Sequence, residues 1–388
     1  MFMISGYCFA EKSVLLGVER SELYEGLLKG KRVGLFTNQT GMDRMLRHTA
    51  DILRERFNLT AIFVPEHGLY GAVTAGENFA DSSYKGIKVY SLYGDTRRPT
   101  SEMLEQIDII CVDIQDIGIR HYTYFSSLAY IMEETAKLGK EVLIFDRPNP
   151  LGGKMEGPIL KPEWSSFIGL YQLPLRHGLT IGEFAGYINA EQKLNCRLHI
   201  IPLANWRRHM YWKDTKLFWV MTSPLIPTAD TAYMYGVTGV AGDTNLSVGV
   251  GTSKPFYFVG APFVEGEKFK DELTKLGLKG VAFRTAAFEP KYGTYSGKVV
   301  HGVEIYLTDV KRVNLPELGY LLVHTVRKMY PDKLEFPLRG YGAQGYKTDA
   351  ALGEDSMSAG KAPEEIFHRW REEAADFQDK VQPFLLYK

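Results

Sequence analysis

The stretch "LTAIFVPEHGLYG", residues 59 to 71, joins an apolar run to a carboxylate and an imidazole. A short apolar run that stops at a turn residue is typical of a buried strand. The run stops at Pro65, and Glu66 and His67 come directly after it. Open α/β sheets bind ligands outside the carboxyl ends of their strands. The meaning of this stretch therefore depends on the residues that stand at the ends of the neighbouring strands.

Four other apolar runs have the same character and alternate with helical patterns between about residues 30 and 205. The predicted strands are "RVGLF" (32–36), "LTAIFV" (59–64), "IDIICV" (107–112), "EVLIF" (141–145) and "RLHII" (197–201). Apolar residues recur at three- and four-residue spacing over 43–57, and a second helical pattern over 125–139 stops at Gly139. This alternation predicts an α/β fold with a Rossmann-like, doubly wound parallel sheet.

The chain changes character after that region. Residues 222–255 are rich in Gly, Pro and Thr and show no sustained helical period, which favours a binding loop or a domain junction. Beyond it, 281–288 and 302–309 alternate like half-exposed strands, while 315–330 and 363–381 have helical patterns. They indicate a second, smaller α+β domain.

The length of 388 residues also favours two domains. We predict a Rossmann-like domain over 13–225 and the smaller α+β domain over 226–388. Residues 1–12 are apolar through Ala10 but have no basic leader, so they are interpreted as an export-signal remnant or a disordered end.

Composition and charge argue against several classes of protein. Lys+Arg and Asp+Glu both number 46, so the basic surplus of a nucleic-acid binder is absent. The three cysteines match neither a metal pattern nor a disulfide framework. No apolar stretch reaches the roughly 20 residues of a membrane span. We expect no nucleic-acid partner and no membrane span.

Polar side chains stand after four of the predicted strands and should meet at one edge of the sheet. They lie in 37–41, 65–68, 113–120 and 146–150, and they include carboxylates and amides at high density. Each has a structural alternative: Asp113 or Asp146 could cap a helix, Arg120 could pair with Asp116, and His67 could be a core histidine. Helix capping is a weaker alternative for Glu66, because glutamate is a poor cap residue.

Several familiar sites are missing from these segments. The first strand leads into "LFTNQTG" and not into G-x-G-x-x-G, and there is neither a P-loop nor a G-x-S-x-G elbow. His67, Asp113, Asp116 and His177 match no familiar metal spacing. We therefore expect no cofactor and no metal. A cleft of carboxylates and amides suits a sugar, whose glycosidic bond needs a proton donor.

Long motifs in this order resemble one family. They are "LFTNQTG", "PEHGLYG", "VYSLYGDTRRPT", "DIQDIGIRHYTY", "FDRPNPLGG", "PLRHGLTIGEFA", "SPLIPTADTAYMY" and "GDTNLSVGVGTSKPF". From about residue 15 to the C-terminus the chain is similar to the bacterial exo-β-N-acetylmuramidases, long known as a domain of unknown function. That resemblance implies a Rossmann-like catalytic domain, a smaller domain closing the cleft, and release of terminal β-1,4-linked N-acetylmuramic acid from the non-reducing end of peptidoglycan fragments.

The resemblance also implies roles for individual residues. Glu66 would be the catalytic carboxylate, with Asp116 and His67 beside it. The implied substrate-binding residues are Asn38, Arg120, Tyr122, Asn149, Arg176, His177, Asp230 and Asn245. Glu66 would protonate the leaving oxygen. A separation of about 5 Å from the second carboxyl predicts retention, one of roughly 6.5–9.5 Å predicts inversion, and the acetamido group could itself be the nucleophile.

Three positions depart from the family pattern. Tyr70 and Val250 stand where the family usually has arginine, and Val248 stands where it usually has glutamate. An arginine in this cleft could bind the lactyl carboxylate of muramic acid. A glycosidase with another sugar preference and a non-catalytic muropeptide or glycan binder therefore stay open. A metal-dependent hydrolase is a third alternative. A peptidoglycan-derived partner implies a periplasmic or secreted protein.

Overall fold

The computed structural model describes residues 13–74, 76–339 and 345–388. The predicted export-signal remnant at 1–12 lies outside them. The described chain forms a seven-stranded sheet, a three-stranded sheet and a hairpin. In spatial order the large sheet contains β3 (Ser82–Tyr84), β4 (Ile87–Ser91), β2 (Asn58–Val64), β1 (Arg32–Thr37), β5 (Ile109–Asp113), β6 (Glu141–Phe145) and β9 (Arg197–Ile201).

The five predicted strands are confirmed as β1, β2, β5, β6 and β9. All their pairings are parallel, and β4 adds a further parallel strand, while the edge strand β3 of this sheet pairs antiparallel with β4. Residues of β5 and β6 are almost all fully buried because helices cover both faces. This explains why their sequences are continuously apolar. Sequence analysis missed β3 and β4, which are short and partly polar.

Twelve α-helices lie among the described residues. They are α1 (Glu25–Leu28), α2 (Thr49–Arg56), α3 (Ser101–Glu105), α4 (Tyr124–Lys137), α5 (Ile181–Glu191), α6 (Trp212–Thr215), α7 (Ala229–Thr238), α8 (Gly266–Lys275), α9 (Leu315–Met329), α10 (Lys347–Leu352), α11 (Ser356–Ala359) and α12 (Pro363–Val381). The helical patterns over 125–139, 315–330 and 363–381 are confirmed as α4, α9 and α12. Gly139, just past α4, has a φ of 61°, which suits a glycine helix stop.

The helix predicted over 43–57 is shorter than its pattern. Helix α2 begins only at Thr49, and Met45 is 80% exposed. Leu46 has a φ of 63°, a left-handed conformation that no helix contains. The ring of His48 caps α2 by accepting a hydrogen bond from Ala50 N at 3.0 Å. The apolar spacing of the first six residues was therefore coincidental.

The smaller sheet is antiparallel and has the order β10 (Phe258–Ala261), β12 (Val300–Leu307), β11 (Val281–Phe288). The two segments predicted as strands are β11 and β12. Helices α8 and α9 pack on this part of the chain, and Trp370 of α12 is fully buried. A hairpin of β7 (Glu156–Ile159) and β8 (Pro174–Arg176) contacts α12. This mixed α/β architecture with a second, smaller antiparallel unit confirms the predicted fold class.

The sequence had indicated that residues 222–255 are irregular, but part of this stretch is helical. They contain α7, which Thr228 caps by accepting a hydrogen bond from Thr231 N. Gly236 lets this helix approach Ile119 and Leu315 closely, because a Cβ there would lie 2.9 Å from the Ile119 side chain. Tertiary packing therefore stabilises a helix whose own sequence is a weak helix former. The predicted division near residue 225 stays a prediction.

Buried apolar side chains from both parts of the chain belong to one continuous cluster that runs from Phe36 to Val381. Within residues 13–74, 76–339 and 345–388, no helix combines the length and apolar character that a membrane span requires.

Candidate active site

Glu66 lies just beyond the carboxyl end of β2 and joins two loops of the sheet edge. Its Oε1 accepts a hydrogen bond from Gly76 N at 2.8 Å, and its Oε2 accepts one from Thr123 Oγ1 at 3.2 Å. Thr123 belongs to the segment after β5, so the carboxylate is anchored on both sides. The side chain is half-buried. Glu66 is thus fixed at the sheet edge and does not extend freely into solvent.

His67 shapes the loop that carries Glu66. It has a φ of 74°, an uncommon conformation for a residue with a side chain, and it is almost fully buried. Its Nδ1 donates to the carbonyl oxygen of Val73 at 2.8 Å, which closes the turn over 67–73. Strained residues of this kind concentrate at functional sites. His67 contacts the loop itself, so it orients Glu66 through the backbone.

Tyr93 lies beside Glu66 at the end of β4, and sequence analysis did not single it out. Burial, then the charge of Glu66 and a hydrogen bond to it, raise the pKa of Tyr93 to about 12. The phenol therefore stays protonated at neutral pH and remains a hydrogen-bond donor toward the carboxylate. The only sequence signal for this residue was its place in "VYSLYGDTRRPT", one of the motifs that carry the family resemblance.

Asp116 and His177 form a second polar pair at the same edge. Asp116 Oδ1 accepts a hydrogen bond from Gly118 N at 2.6 Å, and His177 Nε2 lies 3.4 Å from that oxygen. His177 Nδ1 accepts from Leu179 N, which places its proton on Nε2. Asp116 Oδ2 and His177 Nε2 have no hydrogen-bond partner in the described part of the chain. Leaving such buried atoms unpaired is costly, so the pair is suited to a polar ligand.

Aromatic rings fill the space near both carboxylates. The ring of Tyr122 lies 4.7 Å from that of Tyr124 and 6.1 Å from that of Tyr235. Burial first, and the charges of Glu66 and Asp116 as smaller causes, raise the pKa of Tyr124 and of Tyr235. Both carboxylates therefore lie near the same two phenols. The hydroxyl of Tyr122 has no hydrogen-bond partner among the described residues.

His121 belongs to this aromatic group and was also missed by sequence analysis. Its ring lies 4.7 Å from that of Tyr235, and burial lowers its pKa to about 3. The imidazole is therefore neutral at physiological pH. Neither ring nitrogen has a hydrogen-bond partner within residues 13–74, 76–339 and 345–388.

Two predicted substrate residues use their amide groups mainly to hold loops. Asn38 donates to the Tyr124 hydroxyl at 2.8 Å and accepts from Thr40. Asn149 donates to the carbonyl of Leu179 and accepts from Leu151 N, each at 2.9 Å. Both amides are buried at the sheet edge. Their contacts are those of residues that position the loops around the site.

Arg120 joins separate parts of the fold. Its Nη1 donates to the carbonyls of Pro158 and Leu173, and its Nη2 to those of Ala351 and Leu352. The alternative pairing with Asp116 does not occur among the described ion pairs, because these four carbonyls take the guanidinium instead. Its predicted contact with substrate stays a prediction.

Arg176 is likewise engaged by the protein. Its Nη1 donates to Glu156 at 2.8 Å and its Nη2 to the carbonyl of Leu151, and the residue is fully buried. These bonds link the β7–β8 hairpin to the segment after β6. A role in substrate binding stays a prediction here as well.

Asp230 and Asn245 belong to α7 and to the segment that follows it. Asp230, in the first turn of α7, lines a cavity of about 350 Å³ together with Tyr233 and Tyr257. Asn245 donates to the carbonyl of Lys333 and accepts from Glu335 N. Neither is brought into contact with Glu66 or Asp116 by any described hydrogen bond.

The three positions that depart from the family pattern differ in environment. Tyr70 is 73% exposed in the loop beyond Glu66. Val248 is buried in the continuous core, and Val250 packs against that core. An apolar side chain therefore suits both valine positions in this fold. In the described part of the chain, His, Cys, Asp and Glu side chains form no group of three or more arranged to hold a metal ion.

Comparison with known proteins identifies the family. The family model described as exo-β-N-acetylmuramidase NamZ, N-terminal, matches residues 33–230, and the corresponding C-terminal model matches residues 233–387. The peptidoglycan β-N-acetylmuramidase NamZ of Bacillus subtilis is 39% identical over 371 residues, which cover 94% of this chain and 89% of that protein.

Two crystal structures of DUF1343 family proteins from Bacteroides fragilis share the fold. One is 38% identical with a TM-score of 0.88, and the other is 29% identical with a TM-score of 0.77. Each match covers 97% of this chain and 99% of the other chain. The resemblance noted in the sequence is thereby confirmed, and the chain belongs to the exo-β-N-acetylmuramidase NamZ family.

Proposed function

We propose that this protein is an exo-acting glycoside hydrolase that releases terminal β-1,4-linked N-acetylmuramic acid from the non-reducing end of peptidoglycan fragments. Family membership and the B. subtilis relative support the reaction class and the substrate. The structural observation that carries the proposal is Glu66, anchored at the sheet edge by Gly76 N and Thr123 Oγ1.

Glu66 acts as the general acid in this proposal. A glycosidic oxygen is a poor leaving group until it is protonated, and a positioned carboxylic acid supplies that proton. The contact with Thr123 orients Oε2, while the contact with Gly76 N holds Oε1. His67 keeps the loop in its left-handed turn, and the Tyr93 phenol donates toward the carboxylate after the proton has left.

Asp116 is the proposed second carboxylate. The hydrogen bond from Gly118 N fixes Oδ1, and the unpaired Oδ2 is available to a water molecule or to a substrate donor. The Nε2 atom of His177 lies 3.4 Å from Oδ1, so the imidazole stands beside the carboxyl and can share a polar ligand with it. Asp116 would then stabilise positive charge at the anomeric centre or activate water.

The proposed substrate also indicates the cellular compartment in which the protein works. Peptidoglycan lies outside the cytoplasmic membrane, so we propose that the chain works in the periplasm or after secretion and takes part in cell-wall degradation. Cell fractionation with a detectable tag on Lys388 tests this. Recovery of the protein in the cytoplasmic fraction only would contradict it.

The reaction is tested by comparing Glu66→Gln with the wild type on chromogenic and natural muramides. Loss of a general acid lowers kcat by about 10²–10⁴-fold on a natural disaccharide. A nitrophenolate leaves without much need of a proton, so the same variant should lose much less on the nitrophenyl muramide. Glu105→Gln, an exposed glutamate of α3, is the matched control and should retain activity on both.

Equal losses of Glu66→Gln on both substrates would contradict the acid role. A wild type that binds muropeptides without releasing N-acetylmuramic acid would instead identify a non-catalytic binder. Activity that disappears on dialysis against a chelator would identify a metal-dependent hydrolase.

A further inference from the structure

An exposed guanidinium lies close to the Glu66 region. Arg97 belongs to the loop between β4 and α3, and its Cζ lies 4.8 Å from the ring centre of Tyr93 and 4.1 Å from that of Phe167. The two rings are themselves 6.1 Å apart. Contact with two aromatic faces is favourable for a guanidinium and restricts its orientation. Arg97 is therefore held in place although it is exposed to solvent.

The neighbouring arginine provides a contrast. Arg98 lies over the ring of Tyr130, but its Nη1 also pairs with Glu133 at 2.5 Å and with Glu134 at 2.8 Å. Arg97 forms no ion pair with any carboxylate in the described part of the chain. The two residues thus differ in a single respect that matters for a ligand. The charge of Arg98 is neutralised by the protein, and the charge of Arg97 is not.

Tyr93 connects Arg97 to the catalytic acid. The phenol lies near Glu66, whose charge adds to the larger effect of burial in raising its pKa, while the guanidinium of Arg97 lies over the same ring and lowers that pKa slightly. A ligand bound at Glu66 would therefore be close to a cation whose hydrogen-bond donors are not taken by any group in the described part of the chain. A guanidinium whose face is stacked still presents its edge, and that edge matches the two oxygens of a carboxylate.

We propose that Arg97 binds the carboxylate of the terminal sugar and so selects muramic acid over sugars without a lactyl group. The inference rests on the proposed function. Muramic acid carries its lactyl carboxylate on the same ring whose glycosidic oxygen Glu66 would protonate. Arg97 lies over the ring of Tyr93 and Glu66 lies near its phenol, so the two side chains would contact one and the same sugar residue. Arg97 is then a specificity-determining residue, and Tyr93 and Phe167 are the platform that orients it.

The test uses two matched substrates, nitrophenyl β-N-acetylmuramide and its lactyl carboxamide, which has nearly the same size but no charge. We expect Arg97→Ala to lower kcat/KM about tenfold on the acid and to leave the value for the amide unchanged. Arg97→Lys should retain part of the preference, because ammonium keeps the charge but not the paired donors. Arg98→Ala should keep the full preference. High salt should reduce the wild-type preference, since the site is exposed.

Equal losses on acid and amide, or no loss on either, would overturn the role of Arg97. If the wild type hydrolyses neither compound, the proposed function fails and the role of Arg97 is decided by binding. Calorimetry then compares free N-acetylmuramic acid with its carboxamide. A preference for the acid that Arg97→Ala abolishes supports the inference, and equal binding of the two ligands contradicts it.

Discussion

Two sets of carboxylates stand at the same edge of the large sheet, and the protein treats them differently. Asp113 and Asp146 come at the very ends of β5 and β6 and are fully buried. Asp113 Oδ1 accepts from Arg147 Nε at 2.5 Å, and Asp146 accepts from Gly182 N and Thr180 Oγ1 at 2.8 Å each. All of these hydrogen-bond donors are groups of the protein itself.

Glu66 and Asp116 come two and three residues after their strands and keep atoms for other partners. Glu66 is half-buried and has one protein donor on each oxygen, while Asp116 Oδ2 has none among the described residues. A carboxylate inside the helix-covered layers must be fully bonded because burying it otherwise costs several kcal/mol. Outside the helix-covered layers, a carboxylate does not have to be fully hydrogen-bonded by the protein. Distance from the strand end thus separates structural acids from candidate catalytic ones.

Removing a structural acid should give the largest effect on stability. We expect Asp113→Ala to lower the free energy of unfolding by about 3–5 kcal/mol, because Arg147 would be left buried without its partner. Urea unfolding monitored by circular dichroism measures this. The control is Glu66→Ala, which should change stability by no more than about 1 kcal/mol. Similar losses for both variants would remove the distinction between the two sets.

The opposite pattern is expected for Asp116→Asn. Asparagine retains an oxygen that can accept from Gly118 N, so the loop should stay folded and the melting temperature should hardly change. Activity on a muramide should fall about 100-fold, since a second carboxylate is lost. The exposed Asp95→Asn is the control. Full activity of Asp116→Asn would exclude it as the second carboxylate.

Tyr387 tests how strongly the structural set depends on the end of the described chain. Its hydroxyl donates to Asp146 Oδ2 at 2.5 Å and accepts from Leu203 N at 2.8 Å. Tyr387→Phe removes both bonds within a buried site and should cost about 1–3 kcal/mol of unfolding free energy. Tyr292→Phe, which is 55% exposed, should cost almost nothing. An unchanged stability would mean that Thr180 and Gly182 satisfy Asp146 by themselves.

The large sheet was predictable because parallel buried strands carry an unmistakable apolar pattern. Five of its seven strands were located from that pattern, whereas "SSY" of β3 has none. Helix α7 could not be located, since its stability comes from packing on Ile119 and Leu315 and not from its own residues. Local sequence cannot report contacts made by distant segments of the chain.

The site was predictable at the level of the sheet edge but not of single atoms. The rule that ligands bind at strand ends brought Glu66 and Asp116 into one group. It could not show that Arg120 gives its donors to carbonyls of residues 158, 173, 351 and 352. Nor could it distinguish Arg97 from Arg98, since the difference depends on glutamates of α4. Which polar atoms remain unpaired is a property of tertiary structure.

Asp243 belongs neither to the structural acids nor to the candidate catalytic acids, so it tests whether the distinction between them extends to another carboxyl. Burial raises its pKa to about 6 from the usual 3.8, against a smaller opposing effect of Lys347. The folded state therefore binds this proton more tightly than the unfolded state. The ionised carboxylate costs stability, so this contribution is most favourable below about pH 4 and is lost as the pH rises through about 6.

Asp243→Asn removes that titration, so the variant should gain stability relative to the wild type by about 1–3 kcal/mol between pH 4 and pH 8. Urea unfolding at several pH values across this range measures the difference in stability. A constant cost of the asparagine shifts all values equally, so it does not affect how the difference changes with pH. For the exposed Asp95→Asn the difference should be flat. A flat difference for Asp243→Asn would contradict the raised pKa and would mean that this carboxyl is as well satisfied by the protein as Asp113.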